Sequence, residues 1–150
     1  MNDKRKLIWY AIVNIVIPVI VGVCIYFLVR PDTYISQAIY RLCSASIPSD
    51  ALHIYLPNWL RLFLANYAAD MLWAYSLTFA VYIIFCDGSV NMLWVLAICI
   101  VFETVMELFQ LYHVLSGTFD WWDIALEICA TVMGSLNILF ARRKFYESVQ

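Results

Sequence analysis

Glu103 and Glu107 stand four residues apart, and so do Asp123 and Glu127. On a helix that spacing puts each pair on one face, about 40° apart around the axis. Gln110 falls close to the first pair, and Asp70 lies earlier in the chain. All of them sit in otherwise apolar sequence. A carboxylate at a bilayer centre costs about 2.5 kcal/mol or more on insertion scales, so some interaction must offset each one. The apolar segments contain no matching basic residues. Close carboxylates without cations must take up a proton, bind a cation or meet water. That chemistry suits a polar site for a cation or for a lipid-linked envelope molecule. Hard oxygen donors would favour Mg²⁺ or Ca²⁺ over Zn²⁺. Asp120 joins the candidate ligand-binding set of Asp70, Glu107, Gln110, Asp123 and Glu127. It also fits an N-cap, since it directly precedes an apolar helix. His113, one turn beyond Gln110, reads as an interfacial histidine, as does His53. Glu103 sits deeper and suits a proton or hydrogen-bond relay.

The elements that position these residues follow from composition. The chain of 150 residues is 65% hydrophobic and 13% charged, with a mean hydropathy of +0.81. Soluble domains are nearer half apolar, so an integral membrane protein is expected. The nine Lys and Arg residues form no stripe and sit mostly at the two ends, which argues against a nucleic-acid partner. Five cysteines with no Cys-x-x-Cys pair read as free thiols rather than a disulfide framework or metal cluster.

The expected architecture is all-α, a single polytopic membrane domain of four transmembrane helices in a bundle. The spans run over about 7–29, 66–86, 91–112 and 121–140. Pro18 suggests a kink in the first, where Asn14 is a tolerated polar residue or an interhelical hydrogen-bonding group. The outer loop 30–61 carries Pro31, Pro48, Pro57 and Asn58 as turn and cap residues. Within it Ile35, Ala38, Ile39 and Leu42 recur at helical spacing, so Tyr34 to Leu42 reads as a short amphipathic, interfacial segment. Asp87-Gly88-Ser89 makes a tight turn, and Gly117 is free for positive φ. Trp9, Tyr10, Trp59, Trp121 and Trp122 fit interface anchors; Trp73 and Tyr75 read as core packing, with cavity lining as the alternative.

Four spans place both termini on one side. Lys4, Arg5 and Lys6 and then Arg142, Arg143 and Lys144 flank the first and last helices, so the positive-inside rule puts both ends in the cytoplasm. Asp70, Glu107, Asp123 and Glu127 then fall in the outer third of the bilayer. Three helices bring carboxylates to one level, with their faces turned inward.

Here the residues carry a resemblance. Glu107-x-x-Gln110, a short loop with Gly117-Thr118-Phe119-Asp120, then Asp123 and Gly134, is similar to the signature of the VanZ-like membrane protein family. Asp70 followed by Met71-Leu72-Trp73 and Tyr75 resembles that family's earlier Asp-led segment. The similarity covers roughly residues 66–137. The chain departs from the pattern in lacking an arginine in the 113–120 loop and in carrying Glu127 and Ala130 where Asn and Gly are common. The family takes its name from a protein giving low-level resistance to teicoplanin, a glycopeptide acting on cell-wall precursors outside the membrane. The resemblance therefore implies a bacterial cell membrane and partners among membrane lipid, a lipid-linked cell-wall precursor or the glycopeptide.

Three functions fit the residues. One is an envelope protein that binds or masks a lipid-linked target and contributes to antibiotic resistance or tolerance. Another is an intramembrane, cation-dependent enzyme acting on a lipid headgroup, with a carboxylate as general base. No Ser-His-Asp, Cys-His or nucleophile-elbow pattern accompanies it. The third is a small transporter component, which with only four spans would need to form a homo-oligomer.

Overall fold

The computed structural model describes residues 3–29, 41, 56–85, 91–115 and 118–146. The amphipathic segment expected at 34–42 (Arg41 apart), the turn at 87–89, His53, Cys43, Cys86 and Gly117 lie outside these residues. The described chain forms helices and no strand: α1 (Asp3–Val29), α2 (Asn58–Ile84), α3 (Met92–Leu111) and α4 (Trp121–Tyr146). Each contains a stretch long and apolar enough to cross a membrane, namely Arg5–Ile25, Asn58–Ile84, Met92–Leu111 and Trp121–Phe145.

Local chemistry sets the ends. Asn91 caps α3, its side chain accepting from the Leu93 N–H at 3.0 Å. The other end of α3 closes with a Schellman pattern, in which the Val114 N–H reaches Phe109 O at 2.8 Å and the His113 N–H reaches Gln110 O at 3.0 Å. This turn puts His113 at φ 56°. That region costs a residue with a Cβ about 1 kcal/mol, and glycine is usual there.

Two boundaries differ from the sequence expectation. α2 begins at Asn58, not near 66, so Trp59 and Arg61 belong to the helix and not to the outer loop. Pro57 and Asn58 look like turn residues, but proline beside a helix start loses nothing, because the first N–H groups have no partner inside the helix. α4 runs through Arg142, Arg143 and Lys144 to Tyr146. Charge ends an apolar span without ending the helix, and cations suit its last turn. α2 also contains a π-helical turn at Leu64–Ala68, which periodicity does not reveal. Pro18 lies within α1, which continues on both sides of it.

α2 and α4 form the centre, with α1 packed mainly on α2 and α3 packed on α4 and α2. The apolar core occupies the half of the bundle where α1 begins and α4 ends. It comprises Leu7, Ala11, Phe79, Val81, Tyr82, Val95, Cys99, Ile138 and Ala141. Beside it runs a hydrogen-bonded ring across three helices. Tyr10 OH donates to Asn137 Oδ1 (2.7 Å), Asn137 Nδ2 to Tyr75 OH (2.6 Å) and Tyr75 OH to Asn14 Oδ1 (2.8 Å). Asn14 Nδ2 closes the ring on the Tyr10 carbonyl at 2.9 Å. Tyr10 and Tyr75 are therefore interhelical ties; Tyr75 also packs on the core as expected, against Phe79, whereas Tyr10 is not an interface anchor. Trp73 is exposed, so it neither packs the core nor lines a cavity. Its position on α2 turns it away from the buried Ala74 and Ser76 face. Cys24, Cys99 and Cys129 are free thiols.

α2 and α4 meet closely at Gly134. A Cβ there would stand 3.1 Å from Thr78 Cβ and 3.2 Å from Thr78 Oγ1, whereas one on Gly22 would meet nothing nearer than 3.7 Å. Gly134→Val should therefore lower the thermal unfolding midpoint, by an overpacking cost of about 1–3 kcal/mol. Gly22→Ala should leave the midpoint unchanged or raise it, since alanine is the better helix former. A scan of both variants in detergent checks the contrast.

Candidate functional site

The acids occupy the other half of the bundle, toward the connection between α3 and α4. Glu103 and Glu107 are only 5% and 4% exposed. Their four-residue spacing keeps both on the face of α3 that packs against α4, as the sequence requires. Glu103 lies near the middle of α3, about 12 Å along the axis from Leu111, and Glu107 about 6 Å from it.

Each buried glutamate is held by one oxygen. Thr131 Oγ1 on α4 donates to Glu103 Oε1 at 2.5 Å, and Gln110 Nε2 donates to Glu107 Oε1 at 3.1 Å. The main chain at Asp120 also reaches the Glu107 carboxylate. The second oxygens, Glu103 Oε2 and Glu107 Oε2, are buried and accept no hydrogen bond, and the same is true of Glu127 Oε2. Glu127 lies within electrostatic reach of Glu103, Glu107, Asp70 and Asp123. With Glu127 itself, five carboxylates from three helices share this end of the bundle.

The other expected residues take distinct places. Gln110 is a donor to the cluster. Asp120 caps α4, its Oδ1 accepting from the Trp122 N–H at 3.0 Å while Oδ2 accepts from Tyr67 OH at 3.1 Å. Asp123 and Glu127 are half-buried on the first two turns of α4. Asp70 is exposed on α2, against the expectation that every acid turns inward, although it lies within reach of Glu107 and Glu127. The π turn just before it alters the rotation that a regular helix would give. His113 is exposed at the end of α3.

Three participants do not stand out among the acids. Thr131 continues the spacing Asp123, Glu127, Thr131, Ser135, a four-residue repeat that is visible in the sequence once a hydroxyl counts as a partner for a carboxylate. Ser135 is 4% exposed, and its Oγ has no hydrogen-bond partner. Tyr67 has no comparable sequence signal. From Leu62 to Ala141 the chain carries Asp70, Asp87, Glu103, Glu107, Asp120, Asp123 and Glu127 and neither a lysine nor an arginine.

Among the described residues no three His, Cys, Asp or Glu side chains form a group that could hold a metal ion. The hard-oxygen Mg²⁺ or Ca²⁺ site that the acids suggest is not assembled by them. The cluster offers separate, singly available acceptor oxygens instead of a coordination shell. No family model, curated protein or solved structure matches this chain.

Asp120→Ala should destabilise the fold by about 1 kcal/mol through loss of the cap. Tyr67→Phe should destabilise less, and its effect should vanish in the Asp120→Ala background. A double-mutant cycle on unfolding in detergent measures this. Additive effects would mean that the Tyr67–Asp120 bond contributes nothing.

Proposed function

We propose that this chain is a multi-pass membrane protein whose acid cluster binds the positively charged part of an envelope lipid or lipid-linked molecule. The observation that carries this reading is the pair Glu103 and Glu107. Both are more than nine-tenths buried, and each has one carboxylate oxygen without a donor, beside Glu127. Buried carboxylate oxygens are costly to leave unmatched, and from Leu62 to Ala141 the chain has no lysine or arginine to match them. A ligand that supplies both positive charge and N–H donors offsets that cost.

Binding fits better than passage across the membrane. Below the acids lie the Tyr10–Asn137–Tyr75–Asn14 ring, with its amide and phenol groups already paired, and the apolar core. Paired groups and apolar packing thus fill one half of the bundle, and the acids lie at the other end. With the basic clusters of both termini in the cytoplasm, that end faces outward, where cell-wall precursors and glycopeptides meet the membrane. The VanZ-like pattern of Glu107, Gln110, Asp120 and Asp123 supports the same setting, and glycopeptide resistance or tolerance is the cellular effect that follows from it.

Orientation is checked with C-terminal fusions. Green fluorescent protein should fluoresce and alkaline phosphatase should be inactive; the reverse pattern would turn the acid cluster to the cytoplasm. Expression in a susceptible bacterium should change teicoplanin sensitivity, and Glu107→Gln and Asp123→Asn should each restore the host's own value. Equal sensitivity in all strains, at equal protein levels, would count against a role in resistance.

A further inference from the structure

The end of the bundle opposite the acids carries an excess of positive charge. The chain segments there, 1–7, 85–91 and 141–150, hold six of the nine lysines and arginines against Asp3, Asp87 and Glu147. We infer that the paired ends of α1 and α4 form one basic surface, built on Arg5, Arg143 and Lys144, that takes the phosphates of anionic phospholipid headgroups. This surface stands apart from the acid cluster and from whatever that cluster binds.

Packing brings the two helix ends together. Leu7 and Ala11 of α1 are buried in one core cluster with Ile138 and Ala141 of α4. Tyr10 OH reaches Asn137 at 2.7 Å, and the Tyr10 and Phe145 rings meet edge to face at 5.9 Å. Arg5 stands two residues beyond Leu7 and Arg143 two beyond Ala141, about 3 Å along each axis. They therefore lie at one level. Both are exposed, as is Lys144, while Lys6 and Arg142 are half-buried.

The depth of this surface follows from its tryptophans. Trp9, two residues from Leu7, and Trp94, next to Val95 of the same core cluster, are 59% and 69% exposed. Exposed tryptophans favour the boundary between hydrocarbon and headgroups. Arg5 lies about 6 Å beyond Trp9 along α1, which sets the basic residues among the headgroup phosphates. A nucleic acid fits less well, because the charge forms no stripe and lies at the membrane boundary.

Helix electrostatics do not account for the charge. Cations favour the last turn of a helix, which suits Arg143 and Lys144. The same dipole opposes cations in a first turn, where α1 has Lys4, Arg5 and Lys6. Side-by-side packing then adds repulsion between the two sets. Lipid phosphates offset both costs. Orientation during insertion also uses such charges, but it does not require the first and last helices to bring theirs together.

The full chain, purified in neutral detergent, is titrated with phosphatidylglycerol or phosphatidylcholine, and binding is read by native mass spectrometry. Phosphatidylglycerol should bind about ten-fold or more tightly. Arg5→Gln and Arg143→Gln should each weaken its binding by about five-fold, and the triple variant with Lys144→Gln should abolish the preference. Arg61→Gln, on α2 at the other end, should leave it unchanged. Helical circular dichroism and a fluorescent C-terminal fusion show that each variant folds and inserts as the wild type does. Equal affinity of the wild-type chain for the two lipids overturns the surface, with no variant needed. Loss confined to Arg143→Gln overturns its two-helix construction. Displacement of phosphatidylglycerol by equimolar inorganic phosphate, or by a short DNA oligonucleotide, assigns the surface to a soluble anion and overturns the lipid. None of these outcomes bears on the ligand of the acid cluster.

Discussion

Thr131 donates to Glu103 across the α3–α4 seam at 2.5 Å, and the polar half of the bundle depends on that bond. A glutamate with no donor at this depth would have to turn toward solvent or be left with two uncompensated oxygens. One hydroxyl fixes the side chain inward and takes up one oxygen. Gln110 does the same for Glu107 from within α3 itself. The remaining oxygens are thereby both buried and available, a combination that neither a solvated surface acid nor a saturated network would give.

The rest of the fold separates this region from an inert one. Large apolar side chains such as Phe79, Val95 and Ile138 fill the half near the termini, where the ring through Tyr10, Asn137 and Tyr75 has its amides and hydroxyls paired. Close approach of α2 and α4 at Gly134 and Thr78 lies between the two regions. Rigidity below and unsatisfied polarity above give the cluster a fixed base, and the Asp120 cap with Tyr67 ties the start of α4 to α2 at the top.

Much of this was legible in the sequence. Four apolar stretches became four helices, because a run of twenty apolar residues has few alternatives to a helix. The four-residue spacing of Glu103 with Glu107 and of Asp123 with Glu127 correctly placed each pair on one face. What the sequence hid depends on partners far apart in the chain. Tyr10 and Tyr75 looked like generic aromatics because Asn137, which joins them, is remote from both. The cost of a lipid-facing carboxylate points Asp70 inward, yet it stands exposed on α2, just after the π turn at Leu64–Ala68. Thr131 gains its meaning only from Glu103, which stands opposite it on another helix.

The ring that joins α1 to α4 also bears on how the protein is made. Tyr10 finds Asn137 across 127 residues, and Asn14 finds its phenolic partner on α2. A chain emerging from the ribosome presents α1 long before α4 exists. Helices that enter a bilayer singly and associate afterwards leave such groups unmatched in the interval. The amide of Asn14 can rest on its own helix, at the Tyr10 carbonyl, while it waits. Completion of the bundle thus waits for Asn137, which is made 127 residues after Tyr10.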